Sequence, residues 1–486
     1  MIDLTIDETP LGRAVARARE RRIVIPTFAQ MRDPAMVPGD VVDRLASVGL
    51  WDIDPLNLYR ITWHNEPVAH GGAYGAVNHL EYPRQLTGVE ARIVTLVGKW
   101  FPTGAHKVGA AFGCLVPRLV TGQFDPTTQR SAWPSTGNYC RGGAYDASLL
   151  ACDSIAILPE GMSAERFAWL ASVAGEVIMT PGSESNVKEI FDKCAELRAS
   201  GEDIVIFNQF DEFGNYLWHH TVTGPAMAEV FAAVARPGDR LAAAVYTTGS
   251  AGTIASGDYL KQEFGDVKVA AAEALQCPTI LWNGFGTHRI EGIGDKHIPW
   301  IHNVRNTDLV TAIDDAAPLA LARLFNEPAG IDYLSALGIE DSLIARFPEL
   351  GISSLANLLA SIKVARWFEL GPDDVVLTIA TDSMDMYQSR LGEMNESEGG
   401  FDATDAAVAH ERWLLGETTA NMRELDHWER KRIHNLKYFT WVEQQGKDVA
   451  ELDRQWSDPG YWAAIQEAVA PIDELIVSFN EAVARS

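Results

Sequence analysis

From about Ala91 onward, short apolar runs rich in β-branched residues alternate with amphipathic stretches. ARIVTLVG reads as a strand, and Lys107–Val120 reads as a helix that opens just after Pro102-Thr103-Gly104. A buried strand follows at Ser154–Pro159, then a helix over Ser163–Ala174 with Ser163 as its candidate N-cap. EVIMTPG gives a strand and turn, Asn186–Ala199 a helix and DIVIFNQF a strand. LAAAVYTTG and VKVAAAEA read as two more strands on either side of the helical ASGDYLKQEF, and DVVLTIATDS (Asp373–Ser383) as a late one. Strands alternating with helices in this way predict an α/β protein with mostly parallel sheets.

The two ends of the chain have a different texture. Residues 1–90 are rich in proline, aromatics and isolated glycines, and predict an irregular but ordered lead-in with one helix near Leu11–Arg21. Residues 401–486 predict a helical appendix. Its Trp413, Trp428, Trp441, Trp456 and Trp462 are expected to pack on the main body or on a partner subunit. No internal repeat interrupts the pattern.

Composition narrows the classes. A chain of 486 residues is long enough for two or three domains. Its 40 basic and 66 acidic side chains leave a net charge of −26, which disfavours nucleic acid and anionic membranes as partners. Five cysteines with no CxxC pair give neither a disulfide framework nor a zinc signature, so no metal site is expected and a reduced, cytoplasmic setting is. Neither a signal-peptide core nor a run of about 18 apolar residues is present.

Three loops carry candidate chemistry, each at a strand end or helix start, where open α/β sheets place ligands. The first is Tyr246-Thr247-Thr248-Gly249-Ser250-Ala251-Gly252-Thr253. Its small residues allow backbone N–H groups to approach an anion, and Thr248, Ser250 and Thr253 add hydroxyl donors, so it reads as a phosphate cradle or as a plain tight turn. The second, Phe101 to Lys107, sets a lysine at a helix start in apolar surroundings. Burial and the positive helix end both lower an amine's pKa, as a Schiff-base lysine requires; a lysine that snorkels to solvent is the plainer alternative. The third, Pro134 to Gly143, offers donors from Ser135, Thr136 and Asn138 at a helix entry. Lysine loop, asparagine loop and phosphate loop, in that order on an α/β scaffold, suggest pyridoxal phosphate.

From about Lys99 to about Tyr387 the chain resembles the cysteine synthase-like (tryptophan synthase β-like) family of pyridoxal-phosphate enzymes. PTGAHK is similar to its lysine segment and STGN to its asparagine loop. ILPEGMSAERFAWLASVAGEVIMTPG, FNQFDEFGNYLWHHTVTGPAM, TTGSAGTIASGDYLK and THRIEGIGDKHIP follow in the family's order. The resemblance implies the two-domain fold type II, with parallel-rich sheets flanked by helices. On that reading residues 1–108 are an N-terminal extension and part of the large domain, 109–214 the small substrate-side domain, 215–400 the large phosphate-binding domain and 401–486 a helical C-terminal extension. It implies that Lys107 binds the cofactor as a Schiff base and acts as the base at the substrate's Cα. Asn138 would meet the ring 3-oxygen, and Thr248, Gly249, Ser250, Ala251, Gly252 and Thr253 the phosphate. Ser135, Thr136, Gly137 and Gln209 would hold the substrate carboxylate. The late strand end, Thr381-Asp382-Ser383, would face the ring nitrogen, with the choice between Asp382 and Ser383 left open by a one-residue offset. Implied with these are a homodimer, a small amino-acid substrate, and β-elimination or β-replacement through an aminoacrylate. Ammonia-lyase or dehydratase chemistry and a non-catalytic binding protein are the alternatives.

The chain also departs from the family pattern. Ala251 stands where a glycine is usual, and Tyr139-Cys140 where small residues follow the asparagine. Asp295, Lys296 and His297 add charges that either recognise a polar substrate tail or point to solvent.

Overall fold

A computed structural model describes residues 2–67, 70–135, 137–182 and 187–485. Its strands in chain order are β1 (His79–Tyr82), β2 (Arg92–Val97), β3 (Arg130–Pro134), β4 (Asp153–Pro159), β5 (Glu176–Thr180), β6 (Ile204–Ile206), β7 (Arg240–Thr247), β8 (Lys268–Ala274), β9 (Leu309–Ile313), β10 (Asp374–Ala380) and β11 (Met422–Glu424). They form two sheets. The larger runs β1-β2-β10-β7-β8-β9-β11, and the smaller β5-β4-β3-β6. Every pairing in the small sheet is parallel. In the large sheet only the two edges, β1 on β2 and β11 on β9, are antiparallel.

The apolar runs are continuous because these strands are covered on both faces. In β2 and β10, Val94, Leu96, Leu377 and Ile379 join one core cluster, which includes Phe112 and Leu115 of the helix Lys107–Thr121. Their neighbours Ile93, Val97, Val376 and Ala380 join a second cluster, built on the buried helix Ile352–Trp367. Small residues set the spacing of the Lys107 helix. At Gly113 a Cβ would fall 2.4 Å from the Gly214 carbonyl oxygen, so only glycine allows that approach.

The ends are more regular than their sequence suggests. Residues 1–90 hold helices at Glu8–Arg21, Phe28–Arg32 and Gly39–Leu45 as well as β1, correcting the expectation of a single helix. The C-terminal region is helical, with β11 as a short edge strand. DIVIFNQF contributes only Ile204–Ile206 as strand, because β6 is an edge that pairs with β3 alone. No helix among the described residues is long and apolar enough to cross a membrane.

Candidate active site

The C-terminal ends of strands from both sheets converge on one cavity. Its lining includes Lys107, Ser135, Asn138, Gln209, Ser250 and Thr381. Lys107 opens its helix beyond β2, Ser250 follows β7 and Thr381 follows β10, all on the large sheet. Ser135 and Asn138 follow β3, and Gln209 follows β6, on the small sheet. The site is therefore assembled between two sheets, at the strand ends where parallel α/β folds bind ligands.

Lys107 Nζ donates to Ser250 Oγ at 2.9 Å. Burial pushes its amine down to about 8, since a charged ammonium there has lost its hydration. The neighbouring His106 is wholly buried between the rings of Trp63 and His219. Burial, then the Lys107 charge, pushes it down to about 3, so its imidazole is neutral near pH 7.

The glycine-rich loop after β7 is tied down at several points. Thr248 N donates to Ala272 O at 2.8 Å, and Gly294 N donates to Thr248 O at 3.0 Å. Thr248 Oγ1 is buried and has no hydrogen-bond partner. Gly249 and Ser250 line the cavity, Ala251 is buried, and Thr253 is partly buried. Ala251 takes the left-handed φ of 60°, which explains why glycine is the easier residue there. Asn215 Nδ2 donates to Ser250 Oγ at 3.1 Å and to Gln209 O at 2.9 Å. Gly252 leaves room for it, since a Cβ there would lie 2.0 Å from Asn215 Oδ1.

On the opposite wall, Gln209 Nε2 donates to Ser135 Oγ at 3.2 Å, and the same hydroxyl accepts from Gly137 N at 3.1 Å. Thr136 lies outside the described residues. At the end of β10 the cavity meets Thr381; neither Asp382 nor Ser383 is among its lining residues. Asp382 is turned beneath Asn138 and accepts from its Nδ2 at 2.7 Å. The charged triplet also turns away. Asp295 pairs with His297 at 2.9 Å, Lys296 lies over the Phe285 ring, and none of the three lines the cavity.

Sequence reasoning passed over Asn215, Arg141 and Arg166. Their segments are visible in FDEFGN, NYCRGG and MSAERF, but their partners lie far along the chain. Arg166 Nη1 pairs with Glu291 Oε2 at 3.0 Å and its Nη2 donates to the Tyr387 hydroxyl at 2.7 Å. Tyr139, Val187, Phe210 and the Gly292–Gly294 turn complete the lining. No group of three or more metal-binding side chains occurs among the described residues.

Comparison with known proteins agrees with this architecture. The family profile described as "Pyridoxal-phosphate dependent enzyme" matches residues 100–332. A probable cysteine synthase of Bacillus subtilis is 28% identical over 289 residues, covering 59% of this chain and 85% of the relative. The cystathionine β-synthase of Saccharomyces cerevisiae is 23% identical over 318 residues, covering 64% and 59%. Among solved structures, the cysteine synthase of Entamoeba histolytica superposes with a TM-score of 0.56 at 20% identity, over 70% of this chain and 93% of that one. A hydrogen sulfide-producing enzyme of Fusobacterium nucleatum gives 0.53 at 22%, over 69% and 92%. At these identities the structural likeness establishes the fold.

Proposed function

Because residues 100–332 form a domain of the pyridoxal-phosphate-dependent enzyme family, and the chain is distantly homologous to cysteine synthases and cystathionine β-synthase, we propose that it catalyses β-elimination or β-replacement on a small amino acid. One observation carries this reading. A buried amine with a depressed pKa shares a cavity with a hydroxyl-bearing glycine loop on one side and a Ser–Gln pair on the other.

The residues fit the cofactor that the family implies. Thr248 brings a buried hydroxyl with no partner, and the loop precedes the helix Ala255–Phe264, whose N-terminal end favours an anion. Lys107 is within reach of that loop, and Asn138 brings an amide to the cavity wall. When bound, pyridoxal phosphate supplies an aldehyde for an amine and an electron sink for a carbanion.

The chain's own residues do the rest. Lys107 Nζ, uncharged for a large part of the time near pH 8, would hold the cofactor through its amine and would take the proton from the substrate's Cα. Thr248, Gly249, Ser250, Ala251, Gly252 and Thr253 would hold the phosphate, with the Thr248 and Ser250 hydroxyls as donors. Ser135 and Gln209, already hydrogen-bonded to each other, fix the substrate carboxylate together with Gly137 and Thr136, and so orient the Cα–H bond. Of the strand-end residues Thr381, Asp382 and Ser383, Thr381 is the one on the lining, and it would be the one nearest a ring nitrogen held there. Lys107 is the only charged side chain of the described lining, so the substrate's β-substituent is expected to be uncharged.

Incubation of the purified protein with pyridoxal phosphate is expected to give an absorbance band at the visible edge. The band should change on adding β-substituted amino acids, with product formed. Lys107→Ala should lose the band while keeping the far-ultraviolet circular dichroism of the parent. A protein that stays colourless after incubation overturns the reading.

A further inference from the structure

Asn138 is held at both ends of its amide. Arg141 Nη1 donates to Oδ1 at 3.4 Å, and the same guanidinium is anchored by a 2.7 Å bond from Nη2 to the Thr103 carbonyl. At the other end Nδ2 donates to Asp382 Oδ2 at 2.7 Å. A cation on the oxygen and an anion on the nitrogen fix which way the amide faces. The flipped amide would set N–H against a guanidinium and a carbonyl against a carboxylate. A carboxamide nitrogen carries two hydrogens. Asp382 takes one, and the other remains for a group in the cavity that Asn138 lines.

Asp382 is fixed in turn. It is fully buried, and its Oδ2 also accepts from the Tyr387 hydroxyl at 2.7 Å and lies 3.7 Å from Arg166 Nη2. Behind it sits Gly351, where a Cβ would fall 2.0 Å from Asp382 Oδ1. Arg166 belongs to the helix Ala164–Val173 beside the small sheet, and it reaches under Gly137, immediately before Asn138. The carboxylate thus comes from the large sheet, while the amide and the guanidinium that meet it come from the small one.

We propose that Asp382 is a positioning residue which, opposite Arg141, sets the Asn138 amide so that one N–H is presented to the 3-oxygen of the cofactor ring. This rests on the reading of Asn138 as the partner of that oxygen. An N–H so presented favours the anionic form of the ring oxygen, and the bound cofactor's absorbance reports that form as pH is varied.

The test compares holoenzymes of the parent, Asp382→Asn, Asp382→Ala, Asn138→Ala and the Asp382→Ala/Asn138→Ala double variant. The readouts are the pH midpoint of the cofactor's absorbance change, kcat and KM separately, and cofactor retention on dilution. Asp382→Ala is expected to move the midpoint in the same direction as Asn138→Ala and to lower kcat roughly tenfold, the worth of one well-placed hydrogen bond. The double variant is expected to shift no further than Asn138→Ala alone, because both changes remove one interaction. Asp382→Asn keeps the shape and an acceptor oxygen, so it should restore part of the parent's midpoint; it also serves if the alanine variant does not fold. A parent-like midpoint and kcat in Asp382→Asn and Asp382→Ala would overturn the proposal, as would shifts that add in the double variant. A parent that forms no coloured adduct would overturn the functional reading itself, an outcome distinct from coloured variants that match the parent.

Discussion

The candidate site holds one lysine whose charge is costly where it sits. Burial brings Lys107 down to about 8, so near that pH about half of its amines are uncharged, against under 1% for an ordinary lysine. Covalent capture of pyridoxal phosphate by the cofactor-free protein should accordingly rise with pH and level off with a midpoint near 8. Absorbance-monitored capture rates between pH 6.5 and 10.5 check this, and a midpoint near that of an ordinary lysine would contradict it. The same shift has a sign in stability. Between about 8 and the ordinary lysine value the unfolded chain binds the proton and the folded chain does not, so this group makes folding more favourable as pH rises through that window. Lys107→Met should flatten that part of a stability-versus-pH curve measured by denaturant unfolding. Much of the site was legible because its donors sit in short loops of small residues at strand ends, as Ser135, Asn138, Gln209 and Ser250 do. Asp382 was legible as a residue but not as a contact. Alternate positions past a strand end face different ways, and only the fold puts Thr381 on the cavity and Asp382 beneath Asn138. Arg141 and Arg166 were not legible at all, since a buried cation is recognised by its partners. Those of Arg166 include Glu291 and Tyr387, far along the chain.

At the scale of elements, strands with strong apolar runs were the easy part. β2, β4, β7, β8 and β10 are almost wholly buried, and burial on both faces writes itself into the sequence as a continuous run. β6 and β11 were not readable at their true length. Each is a three-residue edge whose existence depends on a neighbour, β3 or β9. Helix ends yield a testable case. The helix Ile352–Trp367 closes with Leu370 N donating to Ala365 O at 2.9 Å and Glu369 N to Arg366 O at 3.3 Å, the paired bonds of a Schellman end. That motif requires the left-handed conformation at Glu369, whose φ is 50° on an exposed residue. Glu369→Gly should remove the strain between Cβ and the following carbonyl, and raise the unfolding free energy by about 1 kcal/mol. Chemical denaturation measures it, and a loss of stability would refute the assignment. The opposite change tests the packing of the lysine helix. In Gly113→Ala the new methyl must displace the Gly214 backbone, because the obstructing atom is a carbonyl oxygen 2.4 Å away and not a flexible side chain. A cost of about 1–3 kcal/mol is expected, together with slower cofactor capture, since Lys107 rides on the same helix.

Over the whole molecule, the two terminal regions are bonded to each other and to the central sheets. The N-terminal helices are sewn to the last helix, Val469–Ala484. Asp473 accepts from Phe28 N at 2.7 Å and Ala29 N at 3.1 Å, Asn480 exchanges two bonds with Ile25, and Arg19 Nε donates to Val483 O. Farther in, the C-terminal region grips the segment that follows the Gly292–Gly294 turn. Lys437, wholly buried, donates to Trp300 O at 2.9 Å, His302 O at 2.7 Å and Gln455 Oε1 at 2.7 Å, while Trp441 Nε1 donates to Ile298 O at 2.8 Å. Three acceptors use all three hydrogens of the ammonium, which is how a lysine is tolerated there although burial holds its pKa far below the usual range. Removing the donor is therefore worse than removing the charge alone would suggest. In Lys437→Met the charge no longer has to be desolvated, but two carbonyls and an amide oxygen stay buried without that donor. The His302 carbonyl keeps Val304 N as a donor at 3.0 Å, so a loss of roughly 3 kcal/mol of stability is expected mainly from the Trp300 carbonyl and the Gln455 amide oxygen left unpaired. Trp428→Ala is the control: that side chain is 76% exposed, and its removal should cost no more than about 0.5 kcal/mol. If denaturant unfolding of the two variants gave equal losses, the tail would be a surface appendage, and the segment next to the site would owe its shape to the central sheets alone. If the ordering holds, weakened retention of pyridoxal phosphate in Lys437→Met should accompany the lost stability, because Gly294 N is bonded to the Thr248 carbonyl of the glycine-rich loop, proposed above to hold the phosphate, only four residues before Ile298.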